Sequence, residues 1–223
     1  MTRATRGTSG APARPTALRD AILESAAVTL SLLLRDRATL EAMGRLVART
    51  VARGRTVFLC GNGGSAAEAQ HFAAELVGRF LRDRAALPAV ALTTDTSTLT
   101  AVANDYGFER IFARQVEALG RPGDLLIALT TSGRSPNMIA AVAAARARGM
   151  AVAGLTGLAG VPFARRCDVA LVVRSRSTPR IQEAHLLVGH LLCGRAEELA
   201  APRLAAKATR ARRAAPRRRA KGG

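Results

Sequence analysis

The sequence predicts an α/β protein, a three-layer sandwich in which a five-stranded parallel sheet is led in by an N-terminal helical pair. Three observations predict it. Short apolar runs with no polar alternation recur at residues 56–60, 88–92, 124–130, 151–156 and 168–173. Stretches with apolar residues three and four apart separate them, which is helical spacing. Strands that are apolar on both faces need cover on both faces, and strand–helix alternation supplies it when the strands run parallel.

Each element has a local cause. Residues 17–35 and 37–53 read as two helices from their apolar spacing. Residues 56–60, Thr-Val-Phe-Leu-Cys, form the first strand and run into Gly61, Asn62, Gly63, Gly64 and Ser65. Ser65 is expected to cap the helix that follows. The strand at 88–92 opens on Pro88, a position where no ladder N–H is lost. Residues 97–105 and 108–120 are predicted helical. The run 124–130 is the cleanest strand and leads to Ser135 and Pro136, a helix cap and first helical residue. That helix stops at Gly149. Strands at 151–156 and 168–173 and a helix over 180–200 complete the domain.

Charge divides the chain into three parts. The 223 residues carry a net charge of +18, from 34 basic and 16 acidic side chains. Residues 202–223 hold nine basic and no acidic residues. Residues 1–16 hold three more basic residues. The expected organisation is a flexible arm over 1–16, one domain over 17–201 and a disordered Arg-rich tail over 202–223. The tail reads as a solvated extension that can also bind polyanions weakly through phosphate contacts. It has no aromatic residue for base stacking.

The remaining composition excludes several classes. Cys60, Cys167 and Cys193 form neither a disulfide framework nor a CxxC metal pair. Residues 1–17 lack the apolar core of a secretory signal, and no stretch approaches the length of a membrane span. A cytoplasmic protein with no membrane partner is expected.

Two polar loops carry the first functional signal. Gly61 to Ser65 is one, and Thr130, Thr131, Ser132, Gly133, Arg134 and Ser135 is the other. Each runs from the carboxyl end of a strand into a helix. Backbone N–H groups at a helix start, with Ser and Thr hydroxyls, cradle phosphate, and glycine lets the anion approach. Neither loop is a Walker A or a dinucleotide fingerprint. Two such loops in one small domain point to a phosphate-bearing ligand.

The second signal is a set of ionisable residues on two helices. His71 and Glu75 are four apart, about 40° around a helix. The last helix carries Gln182, Glu183, His185 and His190, with Gln182 and His190 about 80° apart. If the helices face each other, His71, Glu75, Gln182 and His190 converge, with His185 an alternative ligand to His190. Imidazole and carboxylate suit a borderline divalent ion such as Zn²⁺. They equally suit proton transfer, with Glu as base and His as acid.

The runs GNGGSAAEAQHFAAELVGRF, ALTTDTSTLTAVANDYGFERIF, LTTSGRSPN and RIQEAHLLVGH together resemble the bacterial phosphoheptose isomerases of the sugar-isomerase (SIS) domain group. The resemblance spans about residues 17–200. It implies a flavodoxin-like SIS fold and a homotetramer with active sites at subunit interfaces. It implies interconversion of D-sedoheptulose 7-phosphate and D-glycero-D-manno-heptose 7-phosphate, the first step toward heptose for surface polysaccharides. On matching positions, Ser65, Thr130, Thr131, Ser132 and Ser135 would hold the phosphate and nearby hydroxyls. Asn62, Gly63 and Gly64 would contact the sugar phosphate, Asn104 and Asp105 would line the sugar, and Glu75 and Gln182 would also touch substrate. His71, Glu75, Gln182 and His190 would be the ligands of one Zn²⁺ per subunit, and Glu75 and His190 the catalytic pair. A carboxylate bound to zinc is a weaker base, which sets the two roles of Glu75 in competition. Thr130 stands where many members carry Ser, and residues 174–179 form a short basic loop.

A second reading is a non-catalytic SIS adaptor, a tetramer that binds the bacterial replication initiator protein. That subgroup is expected to lack the Glu75 and His190 equivalents, and this chain keeps both. A third is an SIS isomerase or sensor for a hexose or pentose phosphate. There the HFAAEL and RIQEAHLLVGH motifs are not expected together.

Overall fold

The computed structural model describes residues 18–214, with side chains described as far as Leu199. The expected arm at 1–16 and the end of the tail at 215–223 lie outside the described residues.

Two helices, α1 (Leu18–Arg35) and α2 (Arg37–Ala52), lead into β1 (Val57–Gly61), α3 (Gly64–Val77), β2 (Ala89–Ala91) and α4 (Thr96–Tyr106). Then come α5 (Ala113–Leu119), β3 (Leu125–Thr130), α6 (Pro136–Ala147), β4 (Ala151–Gly157), α7 (Val161–Ala164), β5 (Val169–Val173) and α8 (Thr178–Ala214). All five strands pair parallel in the order β2-β1-β3-β4-β5. This is the flavodoxin-like order named in general accounts of doubly wound sheets.

Alternate residues of the strands point to opposite layers, as the two-residue period of a strand requires. Val57, Leu59, Leu125, Ile127, Leu129 and Leu155 pack with α1, α2, α3 and α8. Phe58, Cys60, Leu126, Ala128 and Val152 pack with α5, α6 and Phe163 of α7. Two apolar layers on one sheet explain why its central strands read as unbroken apolar runs.

Four local expectations are corrected. Ser65 is not the cap of α3 but its second residue, because Gly63 takes the cap position with φ +56°. The carbonyls of Asn62 and Gly63 accept the first helical N–H groups, so no side-chain cap is needed. The predicted helix at 108–120 is divided. A 3₁₀ turn at Phe108–Arg110 precedes α5, and between them Ile111 and Phe112 turn into the core. The last helix does not end near residue 200: its backbone stays helical through Ala214. The extension is rich in Ala and Arg, both strong helix formers. The end of α3, expected at Phe80, falls at Val77, where Gly78 closes the helix; the remaining boundaries agree within two residues, and Ser135 and Pro136 take the predicted positions at the start of α6, without a side-chain cap bond.

Candidate active site

Strand order reverses between β1 and β3, and ligands of open α/β sheets bind beyond the carboxyl ends of strands at such a point. The two polar loops occupy those two ends. Gly133 has φ +66°, and a Cβ there would lie 2.7 Å from the Gly160 Cα, so the second loop needs glycine. The Thr130 hydroxyl accepts from the Gly133 N–H at 3.1 Å, and the Thr131 carbonyl accepts from the Gly157 N–H at 3.1 Å. Ser132 Oγ accepts from Arg134 N–H at 3.4 Å. Thr131, Ser132 and Ser135 are half-buried, while Gly63 and Gly64 are exposed. Ser65 is buried.

Asn137 joins the two loops and was not among the residues expected at the site. Its Nδ2 donates to Asn62 Oδ1 at 2.8 Å, and Asn62 Nδ2 donates back to Asn137 Oδ1 at 3.0 Å. Asn137 is only 1 % exposed, so each amide satisfies the other in place of water.

The ionisable set forms further along α3, where α8 packs against it. Contact is close because Gly189 has no side chain: a Cβ there would lie 1.9 Å from Phe72 Cζ. The next residue, His190, brings its Nε2 to 2.8 Å from His71 Nε2. Glu75 Oε1 lies 3.6 Å from the same His71 atom. One ligand atom from each of the three residues falls within 4.8 Å of the others. Two nitrogens bound to a tetrahedral zinc at 2.0–2.1 Å sit about 3.3 Å apart. The observed separations of 2.8 and 3.6 Å bracket that figure. All three side chains are partly buried, and the donor set is borderline-soft. The residues fit a zinc-like ion.

Gln182 and His185 lie elsewhere. Gln182 rests against Gly64, where a Cβ would collide with its amide. It is eight residues before His190, about 12 Å along the helix. His185 is fully buried, 3.9 Å from Glu68 Oε2. Burial lowers its pKa to about 4, although the Thr156 backbone pulls the other way. Burial also raises the Glu68 carboxyl to about 7, against the Ser65 hydrogen bond. Of the two candidate histidines on α8, His190 is the one that meets His71. Asn104 and Asp105 sit exposed in the last turn of α4, bonded to each other at 2.8 Å.

Two Gly- and hydroxyl-rich loops meeting at the switch point place the chain in the doubly wound α/β class, with the elements of a phosphate cradle. Residues 22–157 match the SIS domain model. A phosphoheptose isomerase of Rhodospirillum rubrum is 59% identical over 158 residues, covering 71% of this chain and 84% of that protein. Two solved phosphoheptose isomerases superpose well. The one from Neisseria gonorrhoeae gives a TM-score of 0.76 at 42% identity, covering 81% of this chain and 97% of that one. The one from Francisella tularensis gives 0.78 at 36% identity, covering 81% and 96%. The chain belongs to the SIS domain family and, within it, to the phosphoheptose isomerases.

Proposed function

We propose that the protein is an aldose–ketose isomerase that converts D-sedoheptulose 7-phosphate to D-glycero-D-manno-heptose 7-phosphate. The observation that carries the reading is the meeting of His71, Glu75 and His190, brought together across 119 residues of sequence. It occurs in a chain whose relatives are named phosphoheptose isomerases.

The residues suit the chemistry. A base removes a proton from C1 of the ketose, and the electron pair moves into a C1–C2 double bond. The C2 oxygen takes a proton, which gives the enediol. Return of a proton to C2 and loss of the O1 proton give the aldose. Glu75 is assigned as the base at carbon and His190 as the proton partner at oxygen. Asn62, Gly63, Gly64, Ser65, Thr130, Thr131, Ser132 and Ser135 anchor the phosphate, so that its binding energy positions C1 and C2. Asn104, Asp105 and Gln182 complete the sugar contacts. From Gly64 to His71 is about 10 Å along α3, a span suited to an extended seven-carbon chain with phosphate at its far end.

His71, Glu75 and His190, with Gln182, would hold one Zn²⁺ per subunit. Bound there, the ion would polarise a substrate oxygen. Gln182 lies about 12 Å along α8 from His190, too far for both to reach one ion within one chain, so a Gln182 ligand would have to come from a neighbouring copy. Further support for a homotetramer is apolar surface on α1, where Leu18 is 80% and Leu34 71% exposed. Such a stripe on a soluble protein marks an interface. A phosphorylated substrate and three free thiols support residence in the cytoplasm. Among the described residues no helix is long and apolar enough to cross a membrane. The Arg-rich end adds weak polyanion binding.

The non-catalytic adaptor reading gains no support from the relatives, and the chain keeps Glu75 and His190. The test is direct. Purified protein is mixed with sedoheptulose 7-phosphate, and aldose formation is followed with and without a chelator. Conversion that falls on chelation and returns with Zn²⁺ is expected. No conversion under any metal condition would sink the enzyme reading.

A further inference from the structure

The ring of Phe80 stacks on the imidazole of His190, with centroids 5.4 Å apart and planes 18° from parallel. Phe80 belongs to neither helix of the site. It lies in segment 78–88, which joins α3 to β2. A connecting segment of this kind is ordinarily a poor place from which to hold a side chain still. Here it is clamped from below. The N–H groups of Phe80, Leu81 and Arg82 all donate to the Glu197 carboxylate, at 2.8, 3.0 and 3.2 Å. Arg84 Nε donates to the same carboxylate at 3.1 Å, and the two side chains are only 4% and 1% exposed. Burial opposes the Glu197 charge, but the three N–H groups and Arg84 outweigh it and hold its pKa below the usual range.

The clamp reaches both halves of the site. Arg84 also donates to the carbonyls of Glu75 at 2.8 Å, Leu76 at 2.8 Å and Gly78 at 3.1 Å. It thereby holds the last turn of α3, which carries Glu75. Glu197 follows His190 by seven residues, two turns of α8 on nearly the same face. The outcome is a Phe80 ring fixed over one face of His190, while His71 meets its edge at 5.1 Å between centroids. The second torsion of a histidine is broad when nothing packs against the ring.

We propose that Phe80, clamped through its own backbone by the buried Arg84–Glu197 pair, is the positioning residue that sets the orientation of His190. Phe80 acts through His190 rather than on substrate. Its purpose is to keep Nε2 aimed at the point it shares with His71 and Glu75. The proposal rests on the assignment of His190 to the site, and two of its three readouts do not require isomerase activity.

The experiment uses the full chain labelled at histidine, with the His190 ring signals identified by their loss in His190→Gln. Protons over an aromatic face resonate upfield, so the wild-type His190 ring signals should be displaced upfield. Phe80→Leu should return them toward the ordinary position. The same variant should lose about tenfold or more in Zn²⁺ affinity by chelator competition, the range found when a ligand's orienting partner is removed. It should lose a similar factor in kcat with KM changed less than twofold. Phe80→Tyr should retain all three properties. Phe80→Met fills the space without a ring and replaces Phe80→Leu if that variant does not fold. A folded Leu or Met variant with wild-type His190 signals and Zn²⁺ affinity overturns the proposal. So does a Tyr variant as impaired as Leu. A wild-type protein that shows the ring shift and binds Zn²⁺ but does not isomerise the heptose phosphate would reject the proposed activity and leave the positioning role standing.

Discussion

Asn62 and Asn137 exchange two side-chain hydrogen bonds, at 3.0 and 2.8 Å, across the point where strand order reverses. The pair makes one rigid cradle of two loops that are 75 residues apart. Asn137→Ala leaves the Asn62 amide without its partner, at an expected cost of about 1–3 kcal/mol in unfolding free energy. A cradle that anchors phosphate would grip ground state and transition state alike, so KM should rise more than kcat falls. Urea unfolding and steady-state kinetics check both parts. A KM within twofold of wild type would detach Asn137 from the cradle.

Glu75→Gln and His190→Gln remove proton transfer and keep side-chain size. Each is expected to lower kcat by about 10²–10⁴-fold while the chain stays folded by circular dichroism. Near-normal turnover in both variants would refute the catalytic assignment and leave the fold untouched.

Glu68 and His185 make opposite contributions to pH-dependent stability. The Glu68 carboxyl is raised from 4.5 to about 7, so the folded state keeps its proton longer than the unfolded chain. Its contribution is complete below pH 4.5 and is lost as pH rises to about 7. His185 is lowered from 6.5 to about 4, so its contribution is complete above pH 6.5 and is lost as pH falls toward 4. Between 4.5 and 6.5 the two slopes oppose each other. Glu68→Gln should therefore expose the histidine alone, with stability that climbs with pH through that interval. Urea unfolding across the interval checks this. A Glu68→Gln profile parallel to wild type would show that Glu68 does not carry the raised pKa.

The Arg84–Glu197 pair is almost fully buried. Removal of one partner strands the other, at about 3–5 kcal/mol. Arg84→Met should show that loss in chemical denaturation. A loss under 1 kcal/mol would mean that the three backbone donors alone satisfy Glu197.

The Arg-rich end is expected to be dispensable for catalysis. A chain ending at Ala201 should keep wild-type kcat and KM and lose retention on a heparin column, which in the full chain should weaken steeply with salt. Lost activity on truncation would give residues 202–223 a part in the enzyme.

The sheet is legible in the sequence because each strand is an unbroken apolar run, and a run such as 124–130 fits only a strand covered on both faces. Both loops are legible for a related reason: glycines and hydroxyls cluster where strands end. Helix spacing places His71 beside Glu75 but says nothing of how two helices distant in sequence align. Only the packed register reveals that His190 rather than His185 meets His71, and that Gln182 lies two turns away. Asn137, Phe80, Arg84 and Glu197 escape sequence reading altogether. Each acts through a partner between 75 and 117 residues distant, and no local pattern marks such a pairing. Ser65 misleads because a hydroxyl at a helix start usually caps it, whereas here a glycine turn has already satisfied the backbone.

The absent side chain at Gly189 has a consequence for how damage to this protein would look. A methyl there collides with the Phe72 ring, so the ring or the helix that carries Gly189 must shift to admit it. Where the helix gives way, His190, the next residue, is carried off with it, so the gap to His71 widens although every side chain of the set is still present. Gly189→Ala is thus expected to lower turnover with every functional group in place, which steady-state kinetics would show. In this fold, as much chemistry depends on where two helices are bare as on what they carry.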